Sequence, residues 1–455
     1  MVKRRNDRLY FWDGEKMKLS TKSKEYIIPE YSLTGDLLSF LTCNLQYRYQ
    51  NKGHLTPLMP IQLWFGEFIH SALEEAYLKW EKSGDNENLE FPWDWESEIR
   101  PIEELIIDRL KVKGLNPPLG YDWNGPQNNI YSARLERSIN LWGPHLFPLI
   151  IDAEMPLKGL RPLEDENFRS DYYSINGVVD VLSFSKINKL LNFAENQSKI
   201  QKTLDFYYDN DNRNKIIEYL SSNKETLDLL KEKLAKDNIE DYEIIIDYKG
   251  MRRPSAPSEE EMQKIQALMS EGNLFESEIY EKYKVWIQHE WQILTYAWLR
   301  RNQTDMQEPV VGIIFYLNEL VPSNDDLEAI KEDLSKNQTD ISKDRIDEAD
   351  WNLLENWNPY SEKAIHNDLS TKFKMDRSIR IINIDEELFE NSLNQFDNVV
   401  KEIESSMIKE MEGAKIQDAW KAEAEERTCS ACDFRAFCNK KKNEDLENKQ
   451  VFTIP

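Results

Sequence analysis

The stretch YEIIIDYKG, Tyr242 to Gly250, decides how the rest of the chain is read. It predicts an apolar strand that ends in charge and then in glycine. Side chains alternate across a strand, so Asp247 and Lys249, two positions apart, leave the same face. A carboxylate able to hold a hard cation and an ammonium able to meet phosphate or water then project side by side. The spacing alone carries little, because acid-x-Lys recurs at Glu447-Asn448-Lys449 in a polar tail. The strand and the glycine set the first copy apart.

Around this strand the pattern alternates between classes. IIDAEMPLKGL from Ile150 and YSINGVVDVLSF from Tyr173 predict two preceding strands, and PVVGIIFYL from Pro309 a following one. VWIQHEWQILTYAWLRR, Val285 to Arg301, predicts a buried helix. IQLWFGEFIHSALEEAYLKW from Ile61 carries an apolar helical stripe, and a long amphipathic helix is expected from Glu386 to Met411. Together these predict an α/β fold, a mixed sheet flanked by helices. The expected segments are 1–82 (helical), 83–149 (helical insertion), 150–318 (core, with an insert at 185–240), 319–379 (acidic insertion) and 380–455 (helix and cysteine run).

The chain has 455 residues and a formal charge of −25, which excludes a protein that binds nucleic acid over its whole surface. Residues 319–368 hold 14 acidic and 5 basic residues, while short basic clusters sit at Lys249/Arg252/Arg253, Arg300/Arg301 and Lys440–Lys442. A basic groove on an acidic body fits this balance, and scattered solvated lysines and arginines fit it equally. The longest apolar run, Val310 to Leu317, is too short to span a bilayer, and MVKRRNDRLYFWDGEKMK has no apolar signal core. A cytoplasmic protein with no membrane partner is expected.

Other chemistry-bearing residues fall on the same elements. Asp180, in the strand NGVVDVLSF, can converge with Asp247 on one divalent ion, since an unpaired carboxylate in an apolar strand is costly. Glu154, at the start of the strand before it, can add a third carboxylate in an outer position, though a surface strand end explains it equally well. His70 lies at the edge of the first helix's stripe, and Gln292 and Tyr296, four apart, share a helix face. Near the end, RTCSACDFRAFC spaces Cys429, Cys432 and Cys438 as C-x₂-C-x₅-C, one ligand short of a four-ligand site.

In order, the chain shows His on a helix, Gly-x-x-Asp on a strand, Asp-x-Lys on the next, Gln-x-x-x-Tyr on a helix, then C-x₂-C-x₅-C. This resembles the PD-(D/E)XK nuclease superfamily, in particular its RecB-like, AddB-type iron–sulfur branch, which includes the CRISPR-adaptation nucleases. SLTGDLLSFLTCNLQYRYQ (Ser32 to Gln50) is similar to that branch's opening segment, with Asn44 where a proline is usual. The insert between Asp180 and Asp247 is longer than usual in the family.

The resemblance implies a restriction-endonuclease-like core and metal-dependent DNA cleavage, on ends or single strands, in repair, recombination or antiviral defence. It implies Mg²⁺ or Mn²⁺ held by His70, Asp180, Asp247 and the Tyr248 carbonyl, with Lys249 catalytic and Gln292 and Tyr296 supporting it. It also implies that Cys43 joins Cys429, Cys432 and Cys438 around a [4Fe–4S] cluster that clasps the two ends of the chain. Zinc is the alternative in an all-cysteine site. No Gly-Lys pair occurs, hence no Walker A loop, and a helicase or ATPase partner is expected. The competing readings are a catalytically silent nuclease-fold subunit and an unrelated zinc-binding adaptor.

Overall fold

The computed structural model describes residues 28–55, 61–83, 90–163, 170–186, 214–274, 277–304, 306–336, 338–341, 346–359, 365–422, 424, 429 and 432–438. The charged N-terminus to residue 27, the Lys440–Lys442 cluster and the tail copy of acid-x-Lys lie outside these.

Six strands form one mixed sheet: β1 (Glu30–Ser32), β2 (Ile150–Pro162), β3 (Tyr172–Lys186), β4 (Asp241–Lys249), β5 (Glu308–Tyr316) and β6 (Ile379–Asn383). Helices of eight residues or more are α1 (Ile61–Ser83), α2 (Arg100–Val112), α3 (Ile130–Leu146), α4 (Lys215–Ser222), α5 (Lys224–Asp237) and α6 (Glu259–Glu271). They continue with α7 (Glu278–Arg301), α8 (Asn324–Ser335), α9 (Glu348–Asn356), α10 (Thr371–Ser378) and α11 (Glu386–Met411). Among the described residues no helix is long and apolar enough to cross a membrane.

Strand β3 is the hub. Antiparallel β2 follows it from Ile150↔Ser183 to Pro162↔Tyr172. The opposite edge is shared: β1 runs parallel along Ser174–Asn176, and β4 antiparallel along Val181–Lys186. Strand β5 then pairs parallel with β4, and β6 antiparallel with β5.

The unbroken isoleucine run of β4 follows from burial on both faces. Ile244 and Ile246 join a core with α1, α2 and α3, and Ile245 joins one with α7 and α11. All three are fully buried. The second layer lies close to the sheet, because a Cβ on Gly312 of β5 would fall 2.1 Å from Ile293 Cγ2 on α7. Only glycine permits that approach.

The expected α1, β2, β3, β4, α7, β5 and α11 all appear close to their predicted bounds. The sheet nevertheless extends beyond the 150–318 segment, drawing β1 from before it and β6 from after it. Both are short, three and five residues, and β6 is pressed directly between two helices. Neither is long enough to declare a two-residue period. Within the acidic segment, α8, α9 and α10 share a small apolar core around Leu327, Leu334, Leu354 and Phe373. A buried ion pair, Arg377 Nε to Glu319 Oε2 at 2.6 Å, anchors this segment, and Glu319 also accepts the Arg253 backbone N–H at 2.8 Å.

Candidate active site

The site forms where β3 and β4 part. Their ladder ends at Val181↔Ile246, and beyond it the Tyr248 N–H donates to Asp180 Oδ2 at 2.7 Å. A side-chain carboxylate thus takes the place of the next ladder acceptor. The Tyr248 carbonyl, on the same residue, accepts from His70 Nε2 at 2.8 Å, and His70 Nδ1 lies 3.3 Å from Asp180 Oδ1. Helix α1 comes this close because Gly250 follows the strand. A Cβ there would sit 3.0 Å from the Phe65 ring, one helical turn before Ile69 and His70.

Glu154 completes a trio. It falls between the pairs Ala153↔Val181 and Met155↔Val179, hence opposite Asp180. Its φ is +52°, a left-handed conformation that a glutamate adopts only at a cost. The alternation of both strands slips there: Met155 and Val179 pack into the α7 layer, whereas Val181 and Ala153, two residues away, pack into the α1 layer. Ligand atoms of His70, Glu154 and Asp180 all lie within 4.8 Å of one another, the only such group of three or more among the described residues.

The second half of the site is an ion pair under an amide. Lys249 Nζ lies 2.6 Å from Asp247 Oδ2 and donates to Gln292 Oε1 at 2.7 Å. Gln292 Nε2 donates to Asp247 Oδ1 at 3.2 Å and to the Tyr296 hydroxyl at 2.9 Å. The buried amide therefore has partners at both ends, which fix its orientation and that of the Lys249 ammonium.

The electrostatics show a concentration of negative charge. Burial, followed by the Asp180 charge, pushes the Glu154 carboxyl up to about 7. Burial likewise raises Asp247 to about 6, with Lys249 opposing and Asp180 adding to the rise. Asp180 is lowered despite its burial, because His70, Lys249 and the Tyr248 N–H favour its charged form. Burial would lower His70, but Asp180 outweighs it and carries the imidazole to about 9.

One imidazole and two crowded carboxylates, with a backbone carbonyl beside them, form an oxygen-rich set suited to a hard divalent cation. The expected ligands His70 and Asp180 are in this set and the Tyr248 carbonyl is in contact with it. Glu154, expected as an outer ligand, has a carboxylate oxygen within 4.8 Å of the other two ligand atoms. Asp247 is bound instead to Lys249 and Gln292. Sequence reasoning passed over Glu67 and Glu74, whose charges also raise Glu154. Their spacing with His70 on α1, three before and four after, was the available signal.

Cys43, Cys432 and Cys438 belong to or border the core that packs on α7. Cys43 is buried at the junction of two short helical turns, Ser39–Thr42 and Asn44–Tyr47. The C-terminal segment packs there: Tyr49 lies against Phe434 and Phe437 with ring centroids 5.6 and 6.1 Å apart, and the Leu45 N–H donates to the Lys421 carbonyl at 3.0 Å. Cys432 and Cys438 border the same core as Cys43. Burial chiefly raises the Cys43 thiol, and Cys438 and Cys429 add to the rise through their charge. No three of the four sulfurs lie within 4.8 Å of one another, whereas a tetrahedral zinc with bonds of about 2.3 Å sets its sulfurs roughly 3.8 Å apart. All four thiols are free of disulfides.

No family model matches this chain, and no curated protein matches it in sequence.

Proposed function

We propose that this protein is a metal-dependent nuclease that hydrolyses DNA phosphodiesters at ends or in single strands, on a restriction-endonuclease-like core. The observation that carries the reading is the adjacency of two groups: the His70–Glu154–Asp180 trio and the Asp247–Lys249 pair braced by Gln292. A divalent cation, Mg²⁺ or Mn²⁺, held by the trio supplies Lewis-acid polarisation of a phosphoryl oxygen and acidification of water. Asp180 keeps His70 and the Tyr248 peptide in place. Lys249 stands ready to orient a water or to meet the charge that develops on phosphorus. Gln292 fixes where that ammonium sits, and Tyr296 fixes Gln292.

On this reading Cys43, Cys429, Cys432 and Cys438 hold a [4Fe–4S] cluster that clasps the ends of the chain and takes no part in cleavage. The acidic surface points to a helicase or ATPase partner for part of the DNA contact, since a duplex must be opened to feed a single-strand site. Digestion of single-stranded, blunt-ended and circular DNA with Mg²⁺ or Mn²⁺ tests the reading. Metal-dependent loss of the linear substrates supports it, and intact substrates in every lane contradict it.

A further inference from the structure

One turn before Gln292, α7 carries His289, which the chemistry above does not use. Its Nδ1 lies 3.1 Å from the Tyr316 hydroxyl. Tyr316 ends β5 in register with Lys249 on the neighbouring parallel strand, so the two side chains leave the sheet side by side. His289, Gln292 and Tyr296 form one stripe of α7, at i, i+3 and i+7. Tyr296 is at the end of this stripe nearest the trio, Gln292 touches Lys249, and His289 extends the row to the far side of the lysine.

The neighbours of His289 select its tautomer. Burial pushes the Tyr316 hydroxyl up to about 12, so it keeps its proton at neutral pH. The Arg380 guanidinium lies near that hydroxyl, with its own hydrogen bonds going to the Trp286 carbonyl and to Glu290. With the Tyr316 hydroxyl donating to His289 Nδ1, the ring's own proton sits on Nε2. Burial, then the charges of Lys249 and Arg380, hold His289 well below the ordinary histidine range. Among the described residues Nε2 has no hydrogen-bond partner, and the side chain is partly exposed.

We infer that His289 is a substrate-contacting residue whose Nε2–H donates to a non-bridging oxygen of the phosphate beside Lys249. This rests on the nuclease reading and deepens it by placing a second phosphate contact on the side opposite the trio. A neutral donor suits the place: it adds direction beside Lys249 and Arg380, whose charges are already paired with Asp247 and Glu290.

The test is fluorescence anisotropy of a labelled single-stranded oligonucleotide, with Ca²⁺ replacing Mg²⁺, on wild type, His289→Ala and His289→Gln of matched Tm. His289→Ala is expected to bind about tenfold more weakly, the scale of a hydrogen bond to a charged group. His289→Gln keeps an N–H donor and is expected to recover most of that affinity. If wild type cleaves nothing yet His289→Ala still weakens binding, the nuclease reading fails and the phosphate contact stands. Equal affinity of wild type and His289→Ala, a loss that glutamine does not restore, or no binding by wild type overturns the inference.

Discussion

The two candidate metal regions of this molecule are held together by different means. At the His70–Lys249 site directed hydrogen bonds and ion pairs link Asp180, the Tyr248 peptide and His70, and likewise Lys249, Asp247, Gln292 and Tyr296. The Tyr248 peptide alone holds Asp180 through its N–H and His70 through its carbonyl. At the cysteine end, rings and apolar side chains bring Cys43 and the C-terminal segment together, and the sulfurs are not gathered to one ion's distance. The first region is organised by the fold, so on the proposed reading a cation adds chemistry to a finished frame. The second, on the proposed reading, is finished by what it binds. Damage to one should therefore cost activity, and damage to the other should cost folding.

The largest separation is expected from Asp180→Asn. Cleavage should fall by about 10³-fold or more in protein that still folds, because the isosteric amide preserves packing and removes the charge that anchors the trio, while Tm should change little above pH 9, where the His70 proton no longer adds stability. A parallel drop in Tm and activity would erase the contrast. Cys43→Ala should do the reverse. Iron content and yield of folded protein should fall together, since cluster binding and folding are linked. Activity per folded molecule should stay near wild type. A Cys43→Ala protein with full iron content would break the comparison from the other side.

A smaller effect separates metal-free from metal-bound protein. With chelator present, the raised His70 contributes stability that is fully present below its ordinary pKa near 6.5 and is lost as pH rises through about 9. On the proposed reading a divalent cation replaces that proton. Thermal melts from pH 6 to 10 should therefore flatten when Mn²⁺ is added, and calorimetry should record proton release on binding. Melts with the same slope in both conditions would argue that the cation sits elsewhere. The smallest effect is expected from Gly250→Ala. The new methyl must move Phe65 by a few tenths of an ångström, costing about 1–3 kcal/mol and weakening Mn²⁺ binding through displacement of α1.

Much of this site was legible because its signals are local. The two-residue offset of Asp247 and Lys249 and the four-residue offset of Gln292 and Tyr296 place each pair on one face without knowledge of the rest. The helices α1, α7 and α11 declare themselves through apolar stripes. What stayed hidden depends on neighbours far along the chain. Glu154 enters the trio only because its backbone turns left-handed opposite Asp180, and no period in either strand announces that slip. Asp247 and Asp180 look equivalent as strand carboxylates. Their roles divide only when Lys249 and Gln292 claim one and His70 claims the other. The edge strands β1 and β6 are too short to carry a pattern, so the sheet's extent emerges only from pairing.

The most direct test of the account is Mn²⁺-dependent cleavage of labelled linear DNA by wild type beside Lys249→Ala. The account predicts products from wild type and at least about 10³-fold less from the variant, with both proteins folded. Equal products from the two would contradict it.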